Sequence, residues 1–151
     1  MTNGNKGVLS GKRALIIGVA NEHSIAWGCA RALHAAGAEL AITYLNDKAR
    51  PHVEPLARQI DATLVLPLDV TQPGQMQAVF DHIRAVWGSL DFVIHSIAYA
   101  PRDDLHGRIV DCSQPGFLQA MQVSCHSFIE LAHHAESLLV GPVHAHELVV
   151  L

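Results

Sequence analysis

The sequence predicts an α/β protein built on a doubly wound parallel sheet, and three observations carry that expectation. Short continuous apolar runs alternate with stretches of helical apolar spacing along most of the 151 residues. The runs are apolar throughout, as strands are when helices cover both faces of a sheet. Strand and helix then repeat in the order that right-handed crossovers join into parallel neighbours. The expected strand order is 3-2-1-4, with a short fifth strand beside the fourth if the tail adds one.

Arg13-Ala14-Leu15-Ile16-Ile17-Gly18 reads as the first strand. Ser24 to Gly37 follows as a helix, with Ile25, Ala26, Cys29, Leu33 and Ala36 on one face and Gly28 where it would pack close to the sheet. Ala38 to Tyr44 is a second strand, and Ala49 to Ile60 a second helix whose start is confined by Pro51 and Pro55. Ala62 to Leu68 is a third strand. Pro73 to Trp87 is a third helix, with proline near its first turn and Met76, Val79, Phe80, Ile83 and Val86 as its apolar stripe. Leu90 to His95 is a fourth strand. A polar segment from Pro101 to Ser113 leads into a long helix, Gly116 to Leu139, with Phe117, Met121, Ser124, Phe128 and Leu131 along one side. Glu147 to Leu151 reads as a further strand. The chain divides into a polar tail (1–10), the sheet domain (11–139) and a short tail (140–151).

Composition narrows the function classes. A net charge of −4 with 16% charged residues points away from nucleic acid or an anionic membrane surface as the main partner. Cys29, Cys112 and Cys125 are scattered, which argues against a disulfide framework or a zinc site. Met1 to Gly11 is polar and has no signal-peptide core, and no apolar run approaches the roughly 20 residues of a membrane span. A reducing cytoplasm is the simplest setting. His133, His134, His144 and His146 lie near one another in sequence. Adjacent helical histidines point apart, however, and nothing completes a ligand set, so no metal site is expected.

The chemistry sits at the ends of the strands. Gly18-Val19-Ala20 joins the first strand to a helix opening at Ser24-Ile25. Such a turn presents backbone N–H groups and a helix dipole to a pyrophosphate. Ser24 can cap the helix and donate to a phosphate oxygen. The stretch is not G-x-G-x-x-G, and an ordinary strand-to-helix turn explains it equally well. After the second strand, Leu45-Asn46-Asp47-Lys48 places no basic residue at the strand end, and Arg50 lies further on. This leans to NAD over NADP, although Asn46 and Asp47 also suit a plain polar turn. Asp69-Val70 ends the third strand, where an acid can meet an adenine amino group or serve as a helix N-terminal acid. Ser96-Ile97-Ala98 after the fourth strand gives small residues where the chain passes a bound ligand.

Taken together, these segments resemble the bacterial enoyl-acyl-carrier-protein reductases, divergent members of the short-chain dehydrogenase/reductase family. The match is carried by Gly11 to Ala20 with Ser24-Ile25-Ala26-Trp27-Gly28, Thr43 to Asp47, Asp69-Val70, His95 to Pro101, and Met121 to Phe128. It runs from about Leu9 to Leu139. The resemblance implies a Rossmann-like fold and an NADH site made by Gly18, Val19, Ala20, Ser24, Ile25, Leu45, Asp69, Val70, Ser96, Ile97 and Ala98. Tyr99 and Ala100 would begin the acyl-substrate wall, and Ser124 falls where ordinary family members carry a supporting Asn. It further implies NADH-dependent reduction of an enoyl thioester on acyl carrier protein, in fatty acid biosynthesis, by a homotetramer.

One departure stands out. The family's chemistry uses a Tyr beside the thioester oxygen and a Lys on the nicotinamide ribose, both after the fifth strand. This sequence has two tyrosines, Tyr44 and Tyr99, and no lysine after Lys48. No catalytic residue is therefore assigned, and 140–147 does not resemble the family. The chain reads as C-terminally truncated. A non-catalytic NAD-binding module is the second reading. A receiver-type signalling domain is a third, opposed by the Gly18 to Gly28 loop and the lack of an acidic cluster at the strand ends.

Overall fold

The computed structural model describes residues 7–139 and 148–150. Five strands form one parallel sheet in the order β3-β2-β1-β4-β5: β1 Arg13–Ile17, β2 Glu39–Tyr44, β3 Leu64–Pro67, β4 Phe92–His95 and β5 Leu148–Val150. The expected 3-2-1-4 order holds. The tail strand adds beside β4 in parallel, pairing Val93 with Leu148 and His95 with Val150. Glu147 and Leu151, also expected in that strand, lie outside the described residues, as do His144 and His146.

Strand alternation builds two cores from one sheet. Ala14 and Ile16 of β1 face α1 (Ile25–Ala35) and α2 (Arg50–Gln59), packing with Ile42, Val53 and Trp27. Leu15 and Ile17 face the other way, toward α3 (Gln75–Val86) and α5 (Ser127–Ala135), packing with Phe80, Ile83 and Leu131. Successive side chains on a strand point to opposite faces, so a strand covered on both sides must be apolar at every position. Side chains such as Phe80 and Leu15, fully buried here, each contribute about 1.5–3 kcal/mol by leaving water. Below the sheet, Asp91 accepts from Arg13 N–H at 2.9 Å and pairs with Lys12 at 2.7 Å, while Arg13 reaches the Trp87 carbonyl at 2.8 Å.

Several helix expectations need correction. The inward face of α1 is Ala26, Trp27 and Ala30, with Cys29 and Leu33 partly buried, and Ile25 is 65% exposed. Gly28 does not approach the sheet: it is exposed, and a Cβ there would meet nothing within 4 Å. α3 begins at Gln75 rather than Pro73, because Gly74 at φ 83° turns the chain just before it, and Val86 at its far end is exposed. α2 continues through Pro55, with Pro51 in its first turn and both prolines on the solvent side.

The long last helix is not one α-helix. It runs as α4 (Gln114–Met121), a π-helical turn (Gln122–His126) and α5, ending at Ala135 rather than Leu139. Leu139 instead forms an isolated parallel bridge with Leu90. Of the expected stripe, Leu131 is buried and Phe128 packs partly buried against it, but Phe117 and Met121 are exposed. The polar segment before α4 holds two short 3₁₀ turns, Arg102–Leu105 and Ile109–Asp111. Among the described residues, no helix is long and apolar enough to cross a membrane.

Candidate functional site

The carboxyl ends of the central strands enclose two adjoining depressions, where an open parallel sheet takes its ligands. The first, about 170 Å³, is lined by Gly18, Val19, Ala20, Leu45, Ser96, Ile97 and Ala98 together with Thr43 and Leu68. The second, about 260 Å³, is lined by Leu45, Asp69, Val70, Ile97, Ala98 and Tyr99, with Leu68, Thr71, Gln119 and Val123. Sequence reasoning thus named most of both linings. It missed Thr43, a buried polar residue one position before the end of β2, and Leu68 and Thr71, which flank Asp69 and Val70 beyond β3. It also missed Gln119 and Val123, which a distant helix brings in. Larger grooves between α1 and α2, beside β3 and between α3 and α5 lie away from these strand ends.

Gly18 is the structural key to the first depression. Its φ is 104°, and a Cβ there would overlap the Ser96 carbonyl. Only glycine lets the turn leaving β1 pass so close to the chain leaving β4. Ser96 N–H donates to Ile17 O at 3.0 Å and holds the two strand ends together. The depression between them contains no charged side chain, so nothing in it repels an anion.

Ser24 and Ile25 stand outside both linings. Ser24 precedes α1 in extended geometry but does not cap it through its side chain. Its hydroxyl donates instead to Asn21 O at 2.6 Å and accepts from Ala20 N–H at 3.4 Å. The expected cap is therefore replaced by a brace on the turn. The 3.4 Å contact is long for a hydrogen bond, and a phosphate oxygen could take that N–H. Ala100 is partly buried and lies outside both linings as well.

Asp69 is not an acid of the α3 first turn, which begins six residues later at Gln75. It closes a tight turn, accepting from Thr71 N–H at 2.9 Å and Thr71 Oγ1 at 2.7 Å, while its own N–H donates to Gln75 Oε1 at 2.7 Å. Asn46 closes a similar turn after β2, accepting from the Lys48 and Ala49 N–H groups at 3.1 Å. Arg50 is engaged nearby: Nε donates to Glu54 at 2.6 Å, and the guanidinium lies 5.9 Å from the Tyr44 ring centre.

At the end of β4 His95 is fully buried. Its Nε2 lies 2.7 Å from Ser127 Oγ, and Phe128 meets the ring edge-on at 5.7 Å. Burial pushes the imidazole below its usual pKa, so it is neutral. Ser124 accepts from Tyr99 N–H at 3.0 Å and donates back to Tyr99 O at 3.3 Å. His133 and His134 sit edge-on to each other, and His134 stacks on Phe80. Among the described residues, no three His, Cys, Asp or Glu side chains gather as a metal-binding set.

A family model described as enoyl-(acyl carrier protein) reductase matches residues 18–146. The chain belongs to the enoyl-(acyl carrier protein) reductase family. An NADH enoyl-[acyl-carrier-protein] reductase of Rhizobium meliloti (strain 1021) is 45% identical over 133 residues, which are 88% of this chain and 50% of that protein. The reductase of Anaplasma phagocytophilum, solved in complex with NAD, has a TM-score of 0.85 at 43% identity and covers 87% of this chain and 50% of its own. That of Aquifex aeolicus reaches a TM-score of 0.89 at 41% identity, with 95% and 56% covered. The chain therefore spans about half the length of the family relatives it matches.

Proposed function

We propose that this chain binds NADH across the carboxyl ends of β1, β2, β3 and β4, and that it is the cofactor-holding portion of an NADH-dependent reductase acting on enoyl groups carried by acyl carrier protein, in fatty acid biosynthesis. The observation that carries the reading is the close passage of Gly18 under the Ser96 carbonyl. It adjoins an uncharged depression at the strand ends, most of whose lining is residues expected from the sequence to hold the cofactor. A Cβ at residue 18 would overlap the Ser96 carbonyl and displace the floor of that depression.

In this reading the turn Gly18-Val19-Ala20, braced by Ser24, faces the pyrophosphate. Leu45 packs beside the adenosine ribose, and Asp69 and Val70 flank the adenine. Ser96, Ile97 and Ala98 shape the nicotinamide side, and Tyr99 and Ala100 begin the acyl wall. Bound there, the nicotinamide supplies the hydride for the enoyl double bond. The described residues bind and orient; none among them is assigned to stabilise a developing oxyanion on the thioester. A cytoplasmic setting and a homotetrameric whole enzyme belong to the same proposal.

Calorimetric titration with NADH tests the binding. Turnover is tested separately with a crotonyl thioester, followed by nicotinamide absorbance. The 151 residues by themselves should bind NADH and show no measurable reduction. Loss of one preorganised oxyanion donor typically costs about 2.7–4 kcal/mol of transition-state stabilisation, and misplacing the hydride costs about another hundredfold in rate. The lack of any lysine after Lys48, and of any tyrosine after Tyr99, favours the second reading, a non-catalytic NAD-binding module, for these residues alone. Turnover at the rate of a longer relative would overturn that separation of binding from chemistry.

A further inference from the structure

The wall of the site after β4 is built from irregular chain. Residues 96–100 belong to neither helix nor strand, yet Ser96, Ile97, Ala98 and Tyr99 face the two depressions. One end of this wall is tied to β1 through Ser96 N–H and Ile17 O. The other end is tied at Tyr99, whose N–H and C=O both bond to the Ser124 hydroxyl. Ser124 lies within the π-helical turn, so the geometry of that turn decides where the wall is held.

The turn is anchored from below. Ser127 N–H reaches past Val123 to the Gln122 carbonyl, as a π-helical turn requires. The Ser127 hydroxyl donates to Val123 O at 2.7 Å. Having spent its single proton there, the hydroxyl must accept from His95 Nε2–H at 2.7 Å, which fixes the imidazole tautomer. His95 Nδ1 is then the bare nitrogen, and it has no hydrogen-bond partner among the described residues. His95, Ser127 and Val123 are all buried, so the run is shielded from water.

We infer that His95 and Ser127 are a positioning pair for the site: the run His95–Ser127–Val123 locks the π-helical turn to the end of β4, and so holds Ser124 against Tyr99 and fixes the Ser96–Tyr99 wall. Two stretches of chain that meet at the site are thereby tied by side chains rather than by a strand ladder. A neutral imidazole suits the task, because it offers one donor without a buried charge. The inference rests on the cofactor reading only for its second readout.

Hydrogen exchange on the whole chain gives the first readout, without cofactor. Ser127→Ala deletes the run and leaves no extra bulk. Tyr99 N–H should exchange about tenfold faster, while the amides of Ile16 and Ile42 keep their rates. His95→Gln retains an amide donor in the place of Nε2 and should keep Tyr99 protected. The second readout is NADH affinity, which should fall about fivefold in Ser127→Ala and stay near wild type in His95→Gln. Unchanged Tyr99 exchange, or equal acceleration at Ile16 and Ile42, would overturn the inference. Nitrogen-15 spectra of the wild-type histidines decide it even if Ser127→Ala does not fold: a buried ring protonated at Nε2 is expected, and a proton on Nδ1 refutes it. Failure of the wild-type chain to bind NADH would sink the proposed function and leave the exchange result standing.

Discussion

Gly18→Ala is the sharpest test of how this site is built. The substitution makes two demands at once. The residue must keep a φ of 104°, and its new Cβ must occupy space held by the Ser96 carbonyl. Holding a non-glycine residue in so sparsely populated a region costs about 1–3 kcal/mol. The overlap is with backbone, so relief requires β1 and β4 to part at their carboxyl ends. That strains the Ser96 N–H to Ile17 O bond, worth about 0.5–1.5 kcal/mol. The sum is about 1.5–4.5 kcal/mol of stability, with the floor of the first depression displaced. Gly11→Ala is the control: φ is 81° there, but a Cβ meets nothing within 4 Å, so only the conformational cost remains. Urea unfolding gives the stability difference and NADH titration the affinity. Gly18→Ala should lose more of both than Gly11→Ala. If the two variants unfold alike and both bind NADH like wild type, the close passage does not build the site.

Three further outcomes follow from the same geometry. Gly28→Ala should stabilise the chain by about 0.5–1 kcal/mol in urea unfolding, because the position is an exposed helix interior with room for a Cβ; destabilisation would mean that the helix packs against something there. NADH should bind more tightly than NADPH, and Glu54→Gln should narrow the gap about threefold by releasing Arg50 from its 2.6 Å pair; an unchanged ratio would show that Arg50 does not reach a 2′-phosphate. His95, held below its usual pKa by burial, takes up a proton in the unfolded chain before the folded one. Its contribution is therefore constant above about pH 6.5 and is lost as pH falls below that, at up to about 1.4 kcal/mol per pH unit. His95→Gln should flatten that limb of the stability profile, and identical profiles would contradict the buried neutral assignment.

The strand-end linings of the two depressions were legible in the sequence because a parallel sheet puts ligands at strand ends, and strand ends can be read from where apolar runs stop. Gly18, Asp69 and Ser96 follow from that rule alone, Leu45 from the family resemblance, and all four line the depressions. Side-chain roles within turns were less legible. Ser24 has the residue type and backbone of a helix cap, yet its hydroxyl finds Asn21 O first. The ends of helices were misread for a simple reason: Ile25 and Val86 fit the apolar period, but each sits in a terminal turn that the sheet does not cover.

The helix side of the site was hidden by a change of period. Phe117, Met121, Ser124, Phe128 and Leu131 step by four and three residues, which is how an ideal α-helix keeps one face. The residues turned toward the body of the protein step by four throughout: Gln119 and Val123 at the second depression, then Ser127, Leu131 and Ala135 in the core. On a regular α-helix each such step drifts by about 40°, so five positions would wind through about 160° and could not share a face. The π-helical turn inserts one residue between α4 and α5, which resets the phase by about 100° and brings the two short rows into approximate line. Nothing in the spacing of apolar residues marks that insertion, because the residue at its hinge is a serine. Ser127 is polar, buried and bonded both to the turn and to His95. A lone serine in a helical stripe reads as a neutral surface position, and only its partner at the end of β4, more than thirty residues earlier, reveals why it is there.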